Sequence, residues 1–429
     1  MPASGTSGLG LSAVSLAVVG ATALVYISAT FLLAEALGVK RLLQGLFALP
    51  VVLMAAYLAT YRASRMLNPL IGFVVLKTIA ELAFRGTAVD LFDDIATLFG
   101  LMVIAAAPAR AADSGVRLLI RLAGVLALMA LLQWIVLFFQ PELLDELLTV
   151  DDEGKVVGTV HHVIALLGLA TGEQYLLFGH PVSRLQSFAK EPSLNVVYFL
   201  IPSSIAFLRG GTGGMLWGAL MVGFCILSLS GSVLLSLAFS GAAWFAMRVF
   251  SVKNVLFWGT LLVLGGYLAA VQAGSLQSVV SFITFLSDYG NFMSKEKSFT
   301  YRAGGTAGTL SSAAGTPLGG PSLPDLPGPW MVNAALAAGW LGAFMLVLYV
   351  RKLAIELNTL NANHGRELNV WLGTLILIGC MATIIIFNDY QMSNYPGLLL
   401  LAIVYRMIEA QNESDRERRR VPTVRAVPA

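Results

Sequence analysis

The chain is short of charge. Of its 429 residues only 12% are Asp, Glu, Lys or Arg, against 57% hydrophobic, and the mean hydropathy is +0.79. A soluble globular domain carries roughly 25% charged residues. Too little polar surface is left to cover this chain in water, so lipid must be its solvent. Cysteine is almost missing. Cys225 and Cys380 both sit in apolar runs, where Cys acts as a small hydrophobe, and this excludes a disulfide framework or a thiolate metal site. The N-terminus has no basic region ahead of a short apolar stretch, so the first apolar run reads as a retained span rather than a cleaved leader. The net charge is only +3. Its one dense basic run, 416–420 (RERRR), follows an apolar segment and has no folded basic domain beside it. It reads as an anchor at a membrane face, with no nucleic-acid partner.

What is present is a series of apolar runs. A spanning helix needs about 20 apolar residues, and about twelve such runs fit: 9–34, 42–60, 69–84, 88–107, 118–139, 194–209, 213–229, 230–248, 254–272, 330–350, 369–387 and 395–410. The fold class expected is therefore all-α, a single polytopic membrane domain over 1–429. The boundary between the seventh and eighth runs falls near Ser228–Gly231. Lys and Arg collect after even-numbered runs: Arg62 and Arg65, Arg110 and Arg117, Arg209, Arg248 and Lys253, Arg351, Lys352 and Arg366, then the 411–429 tail. The positive-inside rule then places both termini in the cytoplasm. Lys40 and Arg41 are the exception.

This topology leaves two long outer segments, 140–193 and 273–329. The first opens acidic, with Glu142, Asp145, Glu146, Asp151, Asp152 and Glu153, and its 160–178 stretch is expected to be an amphipathic helix on the membrane or a re-entrant turn. The second is rich in Gly, Ala, Thr, Ser and Pro from 303 to 329, and little regular structure is expected there. Loops this long in a compact protein are functional or disordered. No internal repeat is visible, which argues against a twofold transporter.

Each outer segment carries a basic group near an apolar run. Arg184, Lys190 and Glu191 precede the sixth run, with Phe188 among them and Pro192 suited to a first helical turn. Lys295, Lys297, Tyr301 and Arg302 form the second group. Both groups read either as interfacial anchors and solvated loop, or as an anion site. Guanidinium groups bind phosphate oxygens bidentately, and Glu191 is placed to take a proton from a hydroxyl. His180 and Asp288 are the alternatives for that base. Tyr289, Tyr301 and Trp330 read equally as sugar-stacking rings or as an interfacial aromatic belt. His161 and His162 are adjacent and point apart, a poor shared metal site. The acidic triplet Asp151–Glu153 reads as a solvated turn. Lys77 and Glu81 share a helix face inside the third run and can pair, with Arg85, Asp90, Asp93 and Asp94 close behind. They read as a buried structural network or as an ion pathway.

The pattern Arg184, Ser187, Phe188, Glu191, Pro192, Ser193 resembles the "R..G.F.EPS" segment that leads into a span in the O-antigen polymerase and ligase superfamily. LSLSGSVLLSL (227–237) is similar to that family's Ser-rich start of a span. TPLGG (316–320) and the 332–348 stretch ending AAGWLGAFMLVL resemble its closing motif. The resemblance covers residues 180 to 350. Ser187 stands where Gly is usual and Leu229 where Arg is usual. No His precedes the run at Trp330, where ligases carry one, so the Wzy-type polymerases are the better match.

That resemblance implies a helical bundle of the GT-C-like kind in the bacterial inner membrane, with two large periplasmic loops. It implies metal-independent glycosyl transfer without a cofactor. A glycan on undecaprenyl diphosphate passes to a sugar hydroxyl of an acceptor, and the lipid diphosphate leaves. Arg184 and Arg302 would hold the diphosphate and Glu191 would act as base. Lys190, His180, Tyr301, Lys297, Tyr289 and Asp288 would bind substrate. A chain-length regulator and a flippase are the protein partners expected, beside membrane lipid. The competing readings are an O-antigen ligase, a polyprenyl-linked glycan transporter or flippase, and a purely structural assembly subunit.

Overall fold

The computed structural model describes residues 14–23, 51, 68–84, 88–139, short pieces of 145–183, 195–228, 230–272, 310–319, 329–365, 367–387 and 395–420. Their helices are α1 (Val14–Ala23), α2 (Asn68–Phe84), α3 (Ala88–Ala106), α4 (Ala109–Phe139), α5 (Ile201–Arg209, entered through a π turn at Val196–Leu200), α6 (Gly211–Leu227), α7 (Gly231–Ala246), α8 (Val252–Gln272), α9 (Trp330–His364), α10 (Leu368–Phe387) and α11 (Tyr395–Arg420). A short helical turn covers 310–315. The protein is a helical membrane protein, and among the described residues four helices are long and apolar enough to cross a bilayer. The expected break between the seventh and eighth runs is present. α6 stops at Leu227, and extended Ser230 stands just before α7.

The 160–178 expectation is corrected. The first outer segment forms β1 (Asp145–Val150), β2 (Val156–His162), β3 (Leu169–Ala170), β4 (Gln174–Leu177) and β5 (His180–Ser183). β1, β2 and β3 pair in that order as one sheet, and β4 pairs with β5, all antiparallel. The residues explain it. LLTV and VVGTV are rich in β-branched side chains, and the polar DDEGK between them supplies a turn.

The helices are built inside out. On α2 the large apolar side chains Val75, Ile79 and Leu82 are exposed, while Lys77 and Glu81 on the opposite face are buried. Trp258, Leu262 and Leu216 are likewise exposed, as a lipid-facing surface requires. Inside, small residues let backbones approach. A side chain at Gly373 would meet the Ser204 carbonyl of α5, and one at Gly379 would meet the Ser236 carbonyl of α7. Ser236 Oγ donates to Thr383 Oγ1 at 2.9 Å across the α7–α10 contact.

Side-chain bonds gather the basic segments at one end of the bundle. Arg209 Nε lies 3.0 Å from Asp113 Oδ1, joining the end of α5 to the start of α4. Gln411 donates to Leu208 O, Asn369 donates to Phe207 O, and the Lys253 amide donates to Asn358 Oδ1. Arg406 is buried and donates from Nε and Nη2 to Ala107 O at 3.1 and 3.0 Å, and from Nη1 to Glu409 at 2.8 Å. Residues 349, 356 and 364 of α9 bond to 401, 412 and 415 of α11, so these helices run parallel. Both continue well past the apolar runs expected to end at 350 and 410. Leu353, Ala354, Leu357 and Leu360 keep a buried stripe on α9 as its other faces turn polar.

Candidate functional site

At the other end, α5, α7, α9 and α11 begin. The Asn195 side chain is fully buried just before the π turn, and neither its nitrogen nor its oxygen has a hydrogen-bond partner among the described residues. The Asn195 carbonyl accepts from Cys225 Sγ at 3.7 Å. Asn195, two residues past the Glu191–Pro192–Ser193 motif, therefore stands one turn below the serine-rich LSLSGS turn. Phe199 and Phe224 fix this approach, with ring centroids 4.5 Å apart. Ser230 Oγ and Trp330 Nε1 are also buried without a partner among the described residues. Trp330, read from sequence as a stacking or belt residue, is instead buried within the protein.

A second pair of motifs meets nearby. α9 breaks at Gly339, whose φ of 71° and ψ of 174° are non-helical. The Trp340 amide that the break frees donates to Pro317 O at 3.1 Å, and Trp340 Nε1 donates to Ala313 O at 3.1 Å. TPLGG thus closes on AAGWLG. Only glycine suits position 339: the dihedral is left-handed, and a Cβ would lie 2.7 Å from Pro317 O. Non-helical backbone inside a membrane protein survives only where protein covers it and its polar groups are met.

This junction touches the charged face of α2. A Cβ on Gly319 would lie 3.3 Å from the Cβ of Ala80. On either side of Ala80 are Lys77 and Glu81. Lys77 Nζ lies 3.2 Å from Glu81 Oε1 and 2.5 Å from Asp94 Oδ1, and all three residues are 3% exposed. Thr78 Oγ1 donates to Asp94 Oδ2 at 3.3 Å. The Lys77–Glu81 pairing expected from their spacing is present, and Asp94 joins it from α3.

Of the residues singled out by sequence, His180 begins β5, its backbone paired with Leu177. His161 and His162 lie in β2, in register with Glu146 and Asp145. Arg184, Lys190, Glu191, Asp288, Tyr289, Lys297, Tyr301 and Arg302 lie outside the described residues, as do the acidic triplet and Pro192. Sequence reasoning missed Asn195 and Gly339. The signal for Asn195 was its place two residues after the EPS motif, and for Gly339 a glycine inside a strong helix former. Among the described residues, no three His, Cys, Asp or Glu side chains are grouped to ligate a metal. No family model, no curated protein and no solved structure matches the chain.

Proposed function

We propose that the chain is a polysaccharide polymerase of the bacterial inner membrane, joining undecaprenyl-diphosphate-linked repeat units at the periplasmic face. In this reading it crosses the membrane about twelve times, both termini are cytoplasmic, and the basic end faces the cytoplasm. The observation that carries the reading is the pairing of motifs. Two of the segments selected by the resemblance meet directly, Pro317 with Trp340, and Asn195, two residues past the first segment, meets Cys225, two residues before the Ser-rich one; both contacts belong to the end opposite the basic one.

The chemistry follows from depth. A polyprenyl diphosphate lies at headgroup level, so its ligands must lie where loops enter spans. Arg184 and Arg302 hold the diphosphate and stabilise the charge that builds on it as it leaves. Glu191 takes the proton of the acceptor hydroxyl, whose oxygen attacks the sugar carbon that carried the diphosphate. Lys190, Lys297 and His180 add positive charge or hydrogen bonds, while Tyr289, Tyr301 and Asp288 receive the sugars. The buried amide of Asn195 has hydrogen-bonding capacity to offer beside them.

A glycan transporter is the second reading, favoured by one observation, the charged cluster buried between α2 and α3. A deletion strain separates the two. Loss of the polymerase leaves single repeat units on the cell surface, seen as one band in place of a ladder. Repeat units trapped on the inner side of the membrane would refute the polymerase and support the transporter.

A further inference from the structure

Cations at the basic end are of two kinds. Arg117 and Arg209 meet Asp113, and Arg406 meets Glu409 and Glu413. Arg248 and Lys253 differ. They flank the 247–251 turn that joins α7 to α8, both are exposed, and neither side chain meets a carboxylate among the described residues. The sequence shows why: residues 194–272 contain no Asp or Glu. On the neighbouring elements, Glu356 faces Asn412 and Glu367 bonds His364. Arg248 instead lies over the Trp244 ring, its Cζ 4.5 Å from the centroid. Stacking of this kind steadies a guanidinium and leaves its N–H edge open to an anion. The two cations are five residues apart, at most ~17 Å along a fully extended chain, and the turn brings them closer.

The same turn closes an apolar cleft. α7 and α8 follow one another and both pack on α10, yet they hardly touch each other. α8 is the least buried of the four long apolar helices. Phe245 (62% exposed), Val249 (78%) and Phe250 (59%) stand beside Arg248 in the chain, and Trp258 (58%) and Leu262 (74%) are exposed on α8. Trp244 and Trp258 lie four and five residues inward from the two cations, roughly 6 and 8 Å along their helices. That is the depth of an aromatic belt just below headgroup level. We propose that the α7–α8 turn binds one anionic phospholipid, its phosphate between Arg248 and Lys253 and its acyl chains along the exposed faces of α7 and α8. Charge complementarity selects this occupant. Cations without carboxylate partners above exposed apolar side chains match a phosphate above acyl chains. A second copy of the chain, paired here about a twofold axis, would set two like-charged patches against each other.

The inference stands apart from the polymerase reading and uses none of its residues. Native mass spectrometry of the full-length protein, released from micelles loaded equally with phosphatidylglycerol and phosphatidylcholine, tests it. The wild type should retain phosphatidylglycerol in preference to phosphatidylcholine. Arg248→Gln and Lys253→Gln should each lower that preference about tenfold, the loss of one charge-assisted contact, and the double variant should abolish it. Arg117→Gln, at the same end but paired with Asp113 in the wild type, should keep it. All variants should melt like the wild type in phosphatidylcholine alone, because both side chains are exposed. Equal retention of the two lipids by the wild type, or a preference unchanged in the double variant, would overturn the proposal. So would displacement of the lipid by millimolar inorganic phosphate, which would mark a site for free anions. A particle of two copies that retains no phosphatidylglycerol, or a double variant that melts far below wild type in phosphatidylcholine, would overturn it as well.

Discussion

The two ends of the bundle differ in how their buried polar groups are tied. At the basic end Arg406 meets a carbonyl and two carboxylates, His364 meets Glu367 and Asp415, and Asn412 meets Glu356. Each of these side chains ties one helix to another or to its own next turn, although Asn361 Oδ1, Gln411 Oε1 and Asn412 Oδ1 at this end also lack partners among the described residues. At the opposite end Asn195, Ser230 and Trp330 present buried polar atoms without partners among the described residues, and α9 is broken. Ion pairs that cross between helices hold a fold together, whereas polar groups left open beside a backbone break suit binding. The ion-paired end suits a role in stability, and the other end suits the proposed binding of substrate.

The comparison breaks most visibly at Arg406. Arg406→Ala removes the donor to Ala107 O and takes one partner from the partly buried Glu409. Loss of one partner of a buried ion pair costs about 3–5 kcal/mol. The expected outcome is a large drop in melting temperature and in membrane-inserted protein, with glycan falling only in proportion to the protein lost. A normal melting temperature with lost polymer would place chemistry at the wrong end.

His364 gives a smaller and graded effect at the same end. It lies past the apolar part of α9, where Arg351 and Lys352 have already appeared. The hydrogen bond to Glu367, followed by that to Asp415, favours the imidazolium and raises its pKa above the ordinary value, with burial opposing. A raised histidine pKa adds stability that is fully present below the unfolded value. That stability is lost as pH rises through the folded value. Melting temperature should therefore fall slightly from mildly acidic to mildly alkaline pH, by an amount limited by solvent screening at this half-exposed site. His364→Gln should flatten that slope. An unchanged slope would show that another group sets it.

Much of this architecture was readable in the residues. Apolar runs located α2 to α11 because a spanning helix must be apolar over its whole length, and the Ser228–Gly231 break was visible in its serines and glycine. The basic residues marked one end because they recur after alternate apolar runs, which antiparallel helices bring to the same side of the bundle. The 160–178 stretch, whose described pieces are strands, was misread because short amphipathic segments fit more than one period. The meeting of TPLGG with AAGWLG was not readable at all. A helix break sealed by a distant carbonyl leaves only a glycine in the sequence, and glycines are common in apolar helices. The partnership of Asp94 with Lys77 was half visible, since their proximity depends on how α2 and α3 turn toward each other.

The central claim is that two arginines from the two outer segments hold one diphosphate. Its most direct test is glycan length in cells carrying Arg184→Ala, Arg302→Ala or Arg184→Lys at matched membrane expression. Removal of a guanidinium that steadies the leaving diphosphate should cost on the order of 3 kcal/mol, about a hundredfold in rate. The account predicts single repeat units from both alanine variants and poor rescue by lysine, which lacks the bidentate fork. Long chains from both alanine variants would contradict it and leave the arginines as interfacial anchors.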